Sequence, residues 1–150
     1  MIFASVRPAS AKSVPSRPTP GDDLGRPLRR ALVCVIDDDA DVLTSLQFLL
    51  ETEGFDVRTF RNGPALLGSQ ARQDADCLII DYRMAGIDGL ELSRRLRHLG
   101  VTAPILLITG DPDETIASKA TSAGVHQVLI KPNLGDNLLA AVREATSPAS

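Results

Sequence analysis

From Ala31 onward the chain alternates between two apolar patterns. The runs Leu32 to Ile36, Cys77 to Ile80 and Ile105 to Ile108 are apolar at every position, as expected for strands buried on both faces. After the first run, Val42, Leu43, Leu46, Leu49 and Leu50 fall on one stripe of a helix that starts beside Asp37-Asp38-Asp39 and stops at Gly54. Phe55 to Phe60 mixes apolar and polar positions and predicts an edge strand. Asn62-Gly63-Pro64 opens a second, weak helix, and Leu92, Leu96 and Leu99 stripe a third that ends at Gly100. The segment from Pro112 to Ala123 carries cap signals but Ile116 alone as a large apolar anchor, which predicts a loosely held fourth helix. Gly124 precedes a fifth strand ending at Lys131-Pro132, and Leu138, Val142 and Ala145 stripe the fifth helix. Five strands alternating with five helices predict an α/β fold, a parallel sheet covered on both faces with right-handed crossovers.

Composition fits one modest domain. The 150 residues are 43% hydrophobic and 23% charged, and a folded chain of this size buries roughly two-thirds of its unfolded surface. The two cysteines, Cys34 and Cys77, sit inside apolar runs and form no zinc-like spacing, so they read as buried small hydrophobes in a reducing, cytoplasmic setting. No apolar stretch reaches the ~18 residues of a membrane helix, and the N-terminus lacks the apolar core of a secretory signal.

The net charge of −3 conceals a split. Residues 1–30 hold six Lys/Arg against two Asp, a net +4, whereas residues 31–150 hold ten against seventeen, a net −7. Half of the ten prolines also fall in the first thirty residues. The division expected is a disordered or extended arm over 1–30, a folded domain over 31–146 and a short tail over 147–150. The arm is an inert tail or a segment that docks on a partner or a second subunit. Arg94, Arg95 and Arg97 on the third helix read as a solvated face, with a partner contact as the lesser alternative.

In a parallel sheet the site lies at the carboxyl ends of the strands. The first run ends in Asp37-Asp38-Asp39, the third strand in Asp81, the fourth in Thr109-Gly110 and the fifth in Lys131-Pro132. Clustered carboxylates repel one another unless a proton or cation lies among them. A hard divalent cation suits oxygen ligands, and Mg²⁺ suits a few carboxylates plus water and a phosphate better than Ca²⁺ does. Lys131 adds a point charge for phosphate, Thr109 a hydroxyl, and Gly110 room for incoming groups. Taken singly, each has a blander role: Asp38 or Asp39 could cap a helix, and Lys131-Pro132 could be a turn. Taken together they describe a phosphoryl site, with the group arriving on a small ligand or accepted by Asp81 as an acyl phosphate.

These residues carry a family resemblance. From about Ala31 to Ala145 the chain resembles the receiver domain of two-component response regulators, close to receivers of the FixJ and NarL type. The match runs through Asp37-Asp38, Asp81 with Arg83-Met84 and Asp88-Gly89-Leu90-Glu91-Leu92, Ile108-Thr109-Gly110, Gly124 and Lys131-Pro132. The resemblance implies a flavodoxin-like doubly wound sheet of order 2-1-3-4-5. It also implies that Asp81 takes a phosphoryl group from a sensor histidine kinase or a histidine phosphotransfer protein. Mg²⁺ would be held by Asp38, Asp81 and the backbone carbonyl of Arg83, with Asp37 acting through a bound water. Thr109 and Lys131 would contact the phosphoryl oxygens, and Arg83 and Asp111 would tune its hydrolysis. Output would pass through the surface of the fourth helix, fifth strand and fifth helix, which, like the arm, could also form a homodimer.

Three positions depart from the family pattern. Met84-Ala85 stands where Met-Pro is usual, which should loosen one loop. Val128 occupies a position that usually holds Tyr or Phe, and Asn133 one where Phe is common. Together they predict altered dimerisation or partner contacts rather than lost phosphorylation. The leading expectation is a stand-alone receiver that is not an enzyme in the turnover sense and binds neither DNA nor membrane. The alternatives are a Mg²⁺-dependent phosphatase or phosphotransferase on a similar sheet, and a receiver-like scaffold that no longer switches.

Overall fold

The computed structural model describes residues 30–110, 113–131 and 135–147. The N-terminal arm, Asp111, Pro132 and Asn133 therefore lie outside the described residues. In chain order the elements are β1 (Leu32–Ile36), α1 (Ala40–Thr52), β2 (Asp56–Phe60), α2 (Gly63–Leu67), α3 (Ala71–Asp74), β3 (Cys77–Asp81), α4 (Gly89–His98), β4 (Ile105–Thr109), α5 (Glu114–Ser122), β5 (Gln127–Ile130) and α6 (Gly135–Thr146). The strands form one sheet of order β2-β1-β3-β4-β5, with every pair parallel.

The fully apolar runs occupy the three central positions, because only there do both faces of a strand meet helices. Cys34, Ile36, Leu78, Ile80, Ile105 and Leu107 point to one side, against Leu66, Leu92, Leu96 and Ile116 from α2, α4 and α5. Val33, Val35, Cys77, Ile79, Leu106 and Ile108 point to the other, against Leu43, Leu46, Leu50, Leu138 and Val142 from α1 and α6. The two cysteines thus lie on opposite faces of adjacent strands. Both are free and buried, and burial pushes each thiol up to about 12, so both are chemically quiet. The mixed strand β2 lies at one edge, as its polar alternation requires.

Two expectations need correction. The second helix is two short ones. Asn62 caps α2 by accepting from the Ala65 N–H at 2.8 Å, but Gly68 ends it after five residues. The Ser69 hydroxyl then accepts from the Ala71 N–H at 3.1 Å and starts α3. Leu99, placed by its spacing on the buried stripe of the third helix, is instead 51% exposed, because α4 ends at His98 and Leu99 already belongs to the turn. The fourth helix is present as α5, and its buried residues are Ile116 and Ala120. No helix among the described residues is long and apolar enough to cross a membrane.

Candidate functional site

The carboxyl ends of β1, β3, β4 and β5 meet on one rim. Asp37 is 2% exposed, Asp81 6% and Thr109 1%, while Asp38 is an exposed residue. Carboxylate oxygens of Asp37, Asp38 and Asp81 lie within 4.8 Å of one another. The Lys131 ammonium approaches Asp81 Oδ1 at 3.4 Å. Its backbone N–H donates to the Thr109 carbonyl at 2.9 Å, so the ladder between β4 and β5 sets lysine and threonine side by side.

Local chemistry separates the three aspartates of the first loop. Asp39 is the N-cap of α1, accepting from the N–H groups of Asp41 and Val42 at 2.9 and 3.4 Å. The Asp37 carboxylate accepts the Asp39 N–H at 3.0 Å, which braces the loop from inside. Asp38 is thereby relieved of the capping role considered for it. Its carboxylate accepts the Ala85 N–H at 3.4 Å, reaching across to the loop after β3.

That second loop comes close because of Gly89. Its N–H donates to the Tyr82 carbonyl at 2.9 Å, and a Cβ there would sit 2.5 Å from the Asp81 carbonyl oxygen and 2.7 Å from Leu107 Cδ1. Glycine at the first turn of α4 therefore lets the helix press against the strand that carries Asp81. Asp88 caps the helix, accepting the Glu91 N–H at 2.9 Å. Arg83 is exposed, with its guanidinium over the Tyr82 ring at 5.7 Å, and lines a cleft of about 360 Å³ with Asp38, Met84, Ala85 and Asp88. A Cβ on Gly110 would meet nothing within 4 Å, so the space expected beside Thr109 exists.

The electrostatics of the rim are unbalanced. Burial, then the neighbouring charge of Asp37, push the Asp81 carboxyl up to about 6, and Lys131 only partly opposes them. Burial also raises Asp37. A site whose carboxylates hold protons too tightly stabilises a cation that replaces them. The three clustered groups offer oxygen donors alone, which fits a hard ion such as Mg²⁺ and not zinc.

Sequence reasoning missed two arginines. Arg61, at the end of β2, donates to the Asp38 carbonyl oxygen at 3.3 Å. Its only signal was position, one residue beyond the strand beside β1. Arg97 does not belong to a solvated face. It is half-buried and donates to the carbonyls of Val101, Ala103 and Gly124. Arg94 and Arg95 do lie on the exposed face, both paired with Glu91. Val128 is half-buried and packs against the cluster that contains Ile116 and Ala120, under α5.

A parallel sheet of order 2-1-3-4-5 with its polar rim at the carboxyl ends of the strands defines the doubly wound, flavodoxin-like class of α/β proteins. Within that class, a family model described as the response regulator receiver domain matches residues 33–143, and the chain belongs to that family. It is 36% identical over 117 residues to the response regulator protein TodT of Pseudomonas putida, covering 78% of this chain and 52% of that protein. It is 38% identical over 117 residues to the transcriptional regulatory protein FixJ of Bradyrhizobium diazoefficiens, covering 78% and 57%. The chain thus spans about half the length of these curated relatives. Among solved structures it is similar to the response regulator StyR, with a TM-score of 0.72 at 33% identity over 79% of this chain and 60% of that one. The chemotaxis protein CheY4 of Vibrio cholerae shares the fold, with a TM-score of 0.74 at 23% identity over 78% and 99%.

Proposed function

We propose that this receiver accepts a phosphoryl group on Asp81. The observation that carries the proposal is the Lys131 ammonium 3.4 Å from Asp81 Oδ1, inside a cluster of three carboxylates at one rim of the sheet. In the proposed step an ionised Asp81 oxygen attacks the phosphorus of a phosphohistidine. The O–P bond forms, the P–N bond breaks, and the histidine leaves with the bonding electron pair and takes up a proton. Asp37, Asp38, Asp81 and the backbone carbonyl of Arg83 would hold Mg²⁺, which when bound neutralises charge on the transferring group. Lys131 would pair with a phosphoryl oxygen as its contact with Asp81 is given up, and the Thr109 hydroxyl would donate to another. Exposed Arg83, and Asp111 two residues beyond Thr109, are proposed to set how fast water removes the group.

The donor would be a sensor histidine kinase or a histidine phosphotransfer protein, in the cytoplasm. Acquiring a charge of about −1.5 to −2 beside Thr109 and Lys131 would bias the surface of α5, β5 and α6, and hence a partner or homodimer contact there. With Val128 in place of a large ring beneath α5, that bias would act through aliphatic packing alone. A turnover enzyme of this fold would normally need an acid or base two residues past the nucleophile, whereas Arg83 stands there, stacked on Tyr82. Relatives about twice as long are named as transcriptional regulators, so the proposal concerns the receiver alone, the part this chain shares with them. Incubation with acetyl phosphate and Mg²⁺ should add one phosphoryl mass to the intact protein and none to Asp81→Asn. Failure of the first, or retention in the second, would remove Asp81 from this role.

A further inference from the structure

Among the described residues three large apolar side chains stand exposed: Phe48 on α1, Leu99 after α4 and Ile130 in β5. Leu99 is held in that position. Its N–H donates to the Arg95 and Leu96 carbonyls at 3.0 and 3.1 Å, and the Val101 N–H returns to the Leu96 carbonyl at 3.0 Å, while Gly100 turns the chain at a φ of +88°. With Leu67 of α2, Leu99 forms the apolar part of a groove of about 370 Å³ bordered by Glu91, Arg94, Arg95 and His98. A space of roughly 150 Å³ is enough for a benzene ring, so the groove admits an aromatic side chain. Its border is basic. Arg94 and Arg95 share the one carboxylate of Glu91, at 3.5 and 3.1 Å, which leaves a positive charge in excess.

Phe48 has the complementary surroundings. It is 74% exposed, and the residues one helical turn from it, Thr44, Ser45, Glu51 and Thr52, are exposed as well. Helix α1 holds Asp41 and Glu51 and no Lys or Arg. An aromatic knob in an acidic setting and an apolar groove with a basic border therefore stand on the same chain. They cannot meet within one copy. Helix α1 packs Leu43, Leu46 and Leu50 against one side of the sheet, whereas α2 and α4 pack Leu66, Leu92 and Leu96 against the other.

We propose that the groove between α2 and α4 is the docking site for α1 of a second copy of this chain. Phe48 of one copy seats between Leu67 and Leu99 of the next, and Glu51 of the first takes up the positive charge that Glu91 leaves over. Because knob and groove lie on opposite sides of the sheet, the contact is head-to-tail and cannot be returned by the same two copies. Each added copy leaves one knob and one groove free, so assembly continues past two. The contact uses a different face from that of α5, β5 and α6 and does not depend on chemistry at Asp81.

Light scattering or sedimentation of the full chain over rising concentration tests it. The average mass of wild type should climb from that of one chain to beyond that of two, and added salt should lower it, because opposite charges help to hold the contact. Phe48→Ser keeps the groove and Leu99→Ser keeps the knob, and each alone should remain at the mass of one chain. Mixed in equal amounts the two variants should pair and stop at two chains, since one usable contact remains between them. Arg95→Glu is a second groove variant and should behave as Leu99→Ser does if that protein fails to fold. A wild type that stays single at every concentration, or that stops at two chains, would overturn the proposal, as would a mixture of the variants that stays single. Either serine variant associating as wild type does would overturn it too, and would assign the association to another face.

Discussion

At the scale of single residues, adjacent aspartates divide the work of one loop. Asp39 is spent on the backbone of α1, whereas Asp38 faces the cleft and the loop after β3. Replacing Asp38 with alanine removes one repelling charge, so the metal-free protein should be as stable as wild type or more so, while its thermal response to Mg²⁺ disappears. Asp39→Ala should do the opposite, losing about 1 kcal/mol with the cap and keeping the Mg²⁺ response. Melting curves of both variants with and without Mg²⁺ decide the matter. A destabilised Asp38→Ala would mean that the capping role is shared.

At the scale of elements, the contact between α4 and β3 controls where Asp81 sits. Gly89→Ala places a methyl group 2.5 Å from the Asp81 carbonyl oxygen, backbone that has little freedom to move. The expected loss is on the order of 2–3 kcal/mol in urea denaturation, with slower phosphoryl uptake. Gly110→Ala is the control. Its Cβ meets nothing within 4 Å, and its stability should stay within about 0.5 kcal/mol of wild type. The break between α2 and α3 shows the same principle in reverse: Gly68 ends one helix, and the Ser69 hydroxyl accepts the Ala71 N–H at the start of another, where Asn62-Gly63-Pro64 predicts a single weak helix.

At the scale of the whole molecule, the acidic rim links stability to pH. The Asp81 carboxyl is raised from 3.8 to about 6, and Asp37 is raised as well. Between those values the folded chain binds more protons at the rim than the unfolded chain. The stability contributed there is therefore present at low pH and lost as pH rises toward neutrality. For Asp81 the difference is about 3 kcal/mol before solvent screening at the rim reduces it. Asp113, lowered by its bond to the Thr115 N–H, acts in the opposite direction and loses its contribution as pH falls. The rim is isolated by comparison: wild type minus Asp81→Asn, in chelator, should become less favourable to wild type from pH 4 to pH 7. Mg²⁺ should flatten that slope, because it binds the ionised carboxylates. A difference that stays level with pH would show that the rim charges do not interact as their positions require.

The amino-acid sequence by itself determined the strands and the chemical identity of the rim. A central parallel strand is apolar where both faces are buried, and the polar residue that ends each run lies at the rim, so Ile36-Asp37, Ile80-Asp81 and Ile108-Thr109 mark both element and site in one local pattern. What a residue meets across the sheet has no such local sign. Arg97 looked like a third surface charge beside Arg94 and Arg95, and Gly89 like one letter of a motif. Only the tertiary structure decided that one joins the loops that follow α4 and α5 and the other lets α4 touch the strand of Asp81, because their partners lie up to 27 residues away and are brought together by the crossover connections.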